Sequence, residues 1–410
     1  MISYQRFGDV PAKRHTQLWR DGRLLTEEVI GLDGFDGPAS TLYHLHQPMQ
    51  LRRLGGWRPL PREEWVPEAH IHHHFAGQTL APGGDALSGR RLLAFNDDVE
   101  VWLARPDRVM SGWYRNGEAD ELLFVHEGCG TIESVLGDID YRDGDYVVLP
   151  RGITYRVVPD GPTPQRHLVV VSSGLIEVPS RYRNGYGQLL EHAPFCQRDL
   201  RGPSTLRTID QEGEFEVTLR IRGGLQDYVV PHHPCDVVGW DGYLAPWALN
   251  IADLEPLTKQ IHPPPPVHQT FEGRGFTVCT FLPRPLDWHP QAVPIPYSHA
   301  NLNSEELIYY VAGSFGSRRG IDVASLTLHP SGLTHGPQPG LAEGSLGTTH
   351  TEEVAVMVDT FHPLRLTSFA RELDQPDYAW SWTPPIELEP ASEPAVPRAA
   401  GASAAPTPTG

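Results

Sequence analysis

Residues 296–337 read PYSHANLNSEELIYYVAGSFGSRRGIDVASLTLHPSGLTHGP, and the reading of this stretch decides the fold. Two motifs bracket it, His299-x-Asn301-x3-Glu305 and Pro330-x-Gly332-x2-His335. Between them a β-branched and aromatic run, Leu307 to Val311, leads into a polar turn, Gly313 to Gly320. An alternating run through Ile321, Val323, Leu326 and Leu328 follows. The pattern predicts strand, turn, strand. Side chains two apart on a strand share a face, so an extended 299–305 would put His299, Asn301, Asn303 and Glu305 on one side. A second strand ending in a Pro-x-Gly turn can bring His335 beside them. Two imidazoles and one carboxylate gathered on a β scaffold form the facial set suited to non-haem Fe(II), with three coordination positions left open.

Taken singly, each residue has an ordinary reading: a strand His is commonly hydrogen-bonded, and a strand Glu is commonly solvated. The paired spacing argues against that, because it is the two-motif pattern of the cupin barrel. Cupins usually carry His-x-His-x3-Glu followed by Pro-x-Gly-x2-His. Here Asn301 stands where the second His would be, leaving two His and one Glu.

Working outward, the same element recurs upstream. Asp120–Gly128, DELLFVHEG, lies over Glu305–Gly313, EELIYYVAG, and Pro150-Arg151-Gly152-Ile153-Thr154-Tyr155 lies over Pro330 to His335. Tyr114 then falls under His299, Asn116 under Asn301, Asp120 under Glu305 and Tyr155 under His335. The expected ligand set becomes Tyr/Asp/Tyr, without imidazoles. The first copy reads as a barrel that kept its fold and lacks the metal site, and the second as the barrel that carries it. The fold class expected is all-β, a bicupin of jelly-roll barrels.

The composition agrees. The 40 Gly and 40 Pro in 410 residues argue for many turns. The formal charge of −18 argues against nucleic acid and anionic membranes as partners. Cys129, Cys196, Cys235 and Cys279 are scattered, suggesting neither a zinc knuckle nor a disulfide framework. The N-terminal MISYQRFGDVPAKRH has no apolar signal core and no 18-residue apolar run exists, so a cytoplasmic, soluble chain is expected.

The domains expected are an N-terminal β domain at 1–248, with its degenerate cupin core at about 111–172, and an iron-binding cupin domain at 249–385. The Pro/Ala-rich tail 386–410 has almost no large apolar side chains and reads as disordered. Arg20-Asp21-Gly22-Arg23 predicts a tight hairpin. His70, His72 and His74 would share a strand face, but no carboxylate with cupin spacing follows them, so a structural or interface role is expected. His232, His233 and Cys235, flanked by prolines, read as a packed loop rather than a soft metal site.

Several stretches resemble one family. PYSHANLNSE with LTLHPSGLTHGP resembles the iron-site signature of homogentisate 1,2-dioxygenases, closest to their shorter bacterial branch. CDVVGWDGYLAPWALNIADL, PPPPVHQTFEGRGFTVCTFLPRP and GFDGPASTLYHLHQP resemble further segments of the same family. The resemblance implies Fe(II) held by His299, Glu305 and His335. It also implies His268 as general base, and Tyr297, Asn301, His329 and His335 as residues lining the substrate pocket. The activity implied is cleavage of homogentisate by O2 to 4-maleylacetoacetate in tyrosine and phenylalanine catabolism, by a homo-oligomer, trimer or hexamer. Two departures stand out. Gly313-Ser314-Phe315 occupies the place of a substrate-binding Tyr, and Gln338 replaces the usual Asp. Another hydroquinone-type or phenolic acid is therefore the alternative substrate. A metal-dependent cupin isomerase or decarboxylase is disfavoured by Asn301, and a non-enzymatic ligand-binding bicupin by the complete His/Glu/His set.

Overall fold

Long apolar runs such as LLFV, YVVL and LVVV do not alternate, and such strands are stable only when both faces are covered. In the computed structural model, which describes residues 3–383 apart from 161–163, 257, 259–268, 287–288 and 296, that is their position. Strands Asp120–Glu127, Asp145–Leu149, Arg166–Ser172 and Val99–Ala104 are central in an eight-stranded sheet. One face packs on a seven-stranded sheet that contains Trp113–Asn116, Gly130–Ser134 and Thr154–Pro159. Leu123, Val147 and Val169 from one sheet meet Tyr114, Ile132 and Tyr155 from the other. These two sheets make the first barrel.

The other face of the eight-stranded sheet, through Leu122, Phe124, Tyr146 and Val170, packs on a six-stranded sheet through Leu307, Tyr309, Leu326, Val356 and Val358. That six-stranded sheet runs Gln269–Gly273, Phe276–Phe281, Val354–Thr360, Glu305–Ala312, Leu326–His329, His73–Phe75. A smaller sheet of four strands, Gln5–Gly8, Val237–Gly242, Ala39–His44 and Thr26–Gly31, covers part of the first barrel. The architecture is bicupin-like and all-β.

Two strands cross the partition expected at 248/249. His73–Phe75 joins the six-stranded sheet beside Leu326–Leu328, and Arg365–Thr367 joins the eight-stranded sheet beside Phe95 and Trp65. The hairpin at Asp21-Gly22 forms as expected, with both residues at positive φ (50° and 74°) and Trp19 paired with Leu24. All four cysteines are free thiols. The tail 386–410 lies outside the described residues. Among the described residues, no helix is long and apolar enough to cross a membrane.

Candidate metal centre

The strand Glu305–Ala312 places its odd residues, Leu307 and Tyr309, toward the first barrel and its even residues, Ile308 and Tyr310, the other way. Glu306 goes with the even set. His299 and His335 are locked together by reciprocal backbone bonds of 2.7 and 2.8 Å, and their rings stand 4.3 Å apart. Glu306 Oε1 lies 3.5 Å from His335 Nε2, and Glu306 Oε2 lies 3.7 Å from His299 Nε2. Ligand atoms of the three residues all fall within 4.8 Å of one another.

The carboxylate expected in this cluster was Glu305, and the structure brings Glu306 instead. Parity counted from His299 does not reach the strand, because the chain bends at Leu302 and Asn303. Glu305 faces the first barrel, where it accepts a 2.7 Å bond from the Leu364 amide, and burial raises its carboxyl. The repeat holds the signal that locates the right residue. Glu306 stands seven positions before Gly313, and Glu121 stands seven before Gly128, whereas Glu305 has Asp120 as its counterpart.

The donor set fits a cation. His335 is almost fully buried, and its Nδ1 lies 3.2 Å from the Leu333 carbonyl. A proton on Nδ1 serves that bond and leaves Nε2 with its lone pair. His335 Nε2 is buried without a hydrogen-bond partner, and so is His299 Nδ1. Burial would raise the Glu306 carboxyl, but the three imidazoles of His299, His329 and His335 hold it well below the usual carboxylate range. It is anionic, in a pocket of imidazoles.

The first copy shows the same framework closed by a guanidinium. Glu121 is fully buried and accepts from Tyr114 Oη at 3.0 Å, Asn116 Nδ2 at 2.9 Å and Tyr155 Oη at 2.6 Å. These are the counterparts of His299, Asn301 and His335. In both copies the Gly of the Pro-x-Gly turn donates its amide to the carbonyl of that Asn at 2.7 Å, Gly152 to Asn116 and Gly332 to Asn301. The guanidinium of Arg90 bonds Glu121 at 3.0 Å and Tyr155 at 3.2 Å. Asp120, expected in the ligand register, turns outward to Arg151.

The other expected site residues are placed as follows. Tyr297 is 45% exposed with its ring 5.7 Å from that of His299, so it stands at the rim of the cluster. Asn301 donates its amide to Glu306 Oε2 at 3.3 Å. His329 is fully buried, and both its ring nitrogens are engaged within the protein. His268 lies outside the described residues. Phe315 is buried against Tyr310, and Gln338 bonds Ser381 and the Arg319 amide. His70 and His72 lie within hydrogen-bond distance of the carbonyls of Ser331 and Thr334, and His73 of Asp374, so the histidine cluster ties the N-terminal half to the metal-site turn. His233 Nδ1 accepts from the Cys235 amide and Cys235 Sγ donates to the Ser134 carbonyl, a packed loop.

Sequence reading missed Arg318 and Tyr378, which stand behind His329 and Glu306. Arg318 Nε donates to Tyr378 Oη at 3.2 Å, Tyr378 lies 3.2 Å from His329 Nε2, and His329 Nδ1 lies 2.9 Å from Glu306 Oε1. Arginine can only donate, so the chain runs one way: Arg318 to Tyr378, Tyr378 to His329, His329 to Glu306. Burial pushes the His329 imidazole down to about 3, so it is neutral at pH 7. Tyr378 and Trp382 reach this place from a segment that carries no motif. Tyr378→Phe breaks the chain at its middle and is expected to weaken metal retention roughly tenfold, as read by competition with a chromophoric chelator. Retention equal to the parent's would show that the chain does not support the site.

The sequence profile described as the N-terminal part of homogentisate 1,2-dioxygenase matches residues 43–251. A provisionally named dioxygenase of Saccharolobus solfataricus is 43% identical over 385 residues, covering 93% of this chain and 99% of that one. Homogentisate 1,2-dioxygenases of Nitrobacter hamburgensis and Bradyrhizobium diazoefficiens are 28% and 27% identical. They cover 82% and 80% of this chain and 75% and 72% of their own lengths.

Proposed function

The chain belongs to the homogentisate 1,2-dioxygenase family, and from that premise we propose that it opens the ring of homogentisate with O2, giving 4-maleylacetoacetate in the breakdown of tyrosine and phenylalanine. It is an oxygenase of that family. The observation that carries the finer reading is the convergence of His299, Glu306 and His335 with unpaired, buried imidazole nitrogens. These three residues would hold Fe(II), and the Arg90-closed first copy would hold none.

Bound Fe(II) supplies the one-electron chemistry that lets O2 react with a closed-shell aromatic ring. The chain's own residues do the rest. His329 and Asn301 fix the two oxygens of Glu306, so the carboxylate cannot swing out of the cluster. The Leu333 carbonyl fixes the tautomer of His335. A single carboxylate beside a divalent ion leaves net positive charge, which favours an anionic phenolate as substrate. Tyr297 gives an aromatic wall at the rim. His268 takes the phenol proton, a task to which an imidazole is suited in general.

His268→Gln should therefore keep its iron and lose roughly 10²–10⁴ in rate. Part of the loss should return as pH rises toward the phenol's own pKa, because solvent then supplies the phenolate. A variant that has lost its iron, or turns over like the parent, removes His268 from this role.

A second reading has one observation in its favour. Phe315 is buried against Tyr310 where the family resemblance implies a substrate-binding Tyr, so another hydroquinone-type or phenolic acid could be the native substrate. Oxygen uptake with Fe(II) and a panel of dihydroxybenzene acids tests both. Fastest turnover of homogentisate supports the first reading, fastest turnover of another acid supports the second, and no uptake with any of them overturns both.

A further inference from the structure

A cavity of about 400 Å³ lies between the four-stranded sheet and the outer face of the seven-stranded sheet. None of its lining residues belongs to the His299/Glu306/His335 cluster. Its origin lies in strand alternation. Tyr114 and Asn116 point into the first barrel toward Glu121, so Arg115 between them points out. There Arg115 Nε donates to Thr154 Oγ1 at 2.7 Å, and no carboxylate among the described residues lies within 4 Å of its guanidinium. Arg115 is exposed by area and lines the cavity.

Across the cavity His44 sits between two carboxylates, with Nδ1 2.8 Å from Asp236 and Nε2 3.0 Å from Glu28. Burial works against charge on His44, but the two carboxylates raise it to about 9, so an imidazolium holds Glu28 in place at neutral pH. The contact uses Glu28 Oε2 and leaves Oε1 for a second donor. Arg115 and Glu28 feel each other's charge without forming an ion pair. A cation and an anion therefore line one cavity together with Leu42, Val217 and Val230. The size suits a small metabolite.

We propose that this cavity binds an α-amino acid with an apolar side chain. Its carboxylate meets Arg115, its ammonium meets Glu28, and its side chain packs on Leu42, Val217 and Val230. A guanidinium is the natural partner of a carboxylate. A plain carboxylic acid would leave Glu28 without a second donor, and a plain amine would leave Arg115 without an anion, so only a zwitterion uses both ends.

Calorimetric titration of the full-length protein with L-phenylalanine, phenylacetate and 2-phenylethylamine tests this. L-Phenylalanine should bind saturably, and more tightly than either single-charge analogue. Arg115→Gln should weaken L-phenylalanine roughly ten- to a hundredfold and leave 2-phenylethylamine unchanged. Glu28→Gln should weaken L-phenylalanine and 2-phenylethylamine alike. Glu306→Gln should bind L-phenylalanine like the parent, which separates this cavity from the metal cluster. No saturable binding overturns the proposal, as would an occupant from another copy of the chain that excludes the ligand. So would tighter binding of phenylacetate, parental L-phenylalanine affinity in both charge variants, or loss in Glu306→Gln with retention in Arg115→Gln.

Discussion

Glu306→Ala is expected to take up no iron on anaerobic loading and to show no oxygen uptake, while Glu305→Ala keeps about one equivalent per chain. The two residues are neighbours with the same side chain, so composition and local charge are matched between the variants. Only direction differs. Glu306 points at the imidazoles of His299 and His335, and Glu305 points away to the Leu364 amide. Removing Glu306 takes the one anion from the cluster and leaves the His329 Nδ1–H without its acceptor. Removing Glu305 leaves an unmatched backbone amide and costs about 1–3 kcal/mol of stability. Loss of iron in Glu305→Ala with retention in Glu306→Ala would restore the ligand set read from the sequence.

The second large effect lies in the first barrel. Arg90→Ala should destabilise the protein by about 3–5 kcal/mol in urea unfolding, because it leaves a buried carboxylate without its cation. Both side chains of the pair are nearly inaccessible to water. Arg90→Met combined with Glu121→Gln should recover most of that loss, since the charge is removed with its partner. Burial alone would raise the Glu121 carboxyl, but Arg90, Tyr155 and Asn116 hold it down at about 2. A carboxylate depressed in the folded state stabilises fully above its unfolded value near 4.5, and that contribution is lost as pH falls toward 2. Acid unfolding of the Glu121→Gln variant should therefore depend less on pH in this window. An Arg90→Ala variant as stable as the parent would show that the guanidinium is not needed to close the barrel.

The barrels, their repeat and the pairing of His299 with His335 were legible in the sequence because spacing and turn chemistry fix them. Pro-x-Gly turns and strand-length runs mark the same framework twice, and the amide bonds of Gly152 and Gly332 repeat it in space. The side on which a carboxylate falls was not legible from His299 forward, since a two-residue bend erases the count of two. Arg90 was not legible either. It comes from a strand outside the repeated segment, and nothing in its neighbourhood marks it as the cation that closes Glu121. Tyr378 and Arg318 reach His329 only through tertiary packing, so no local pattern announces them.

The strand exchange between the halves bears on how the chain is made. His73–Phe75 leaves the ribosome early, but its pairing partner Leu326–Leu328 follows only some 250 residues later. Until then it is an unpaired edge with two histidines just before it and two within it. The sheet that carries Glu306 closes only after Val354–Thr360 has emerged, and Arg365–Thr367 must then return to the older half to extend the eight-stranded sheet. Neither half can reach its final form before the other exists. Pairings this distant in sequence predict slow assembly, with metal capture as a late event.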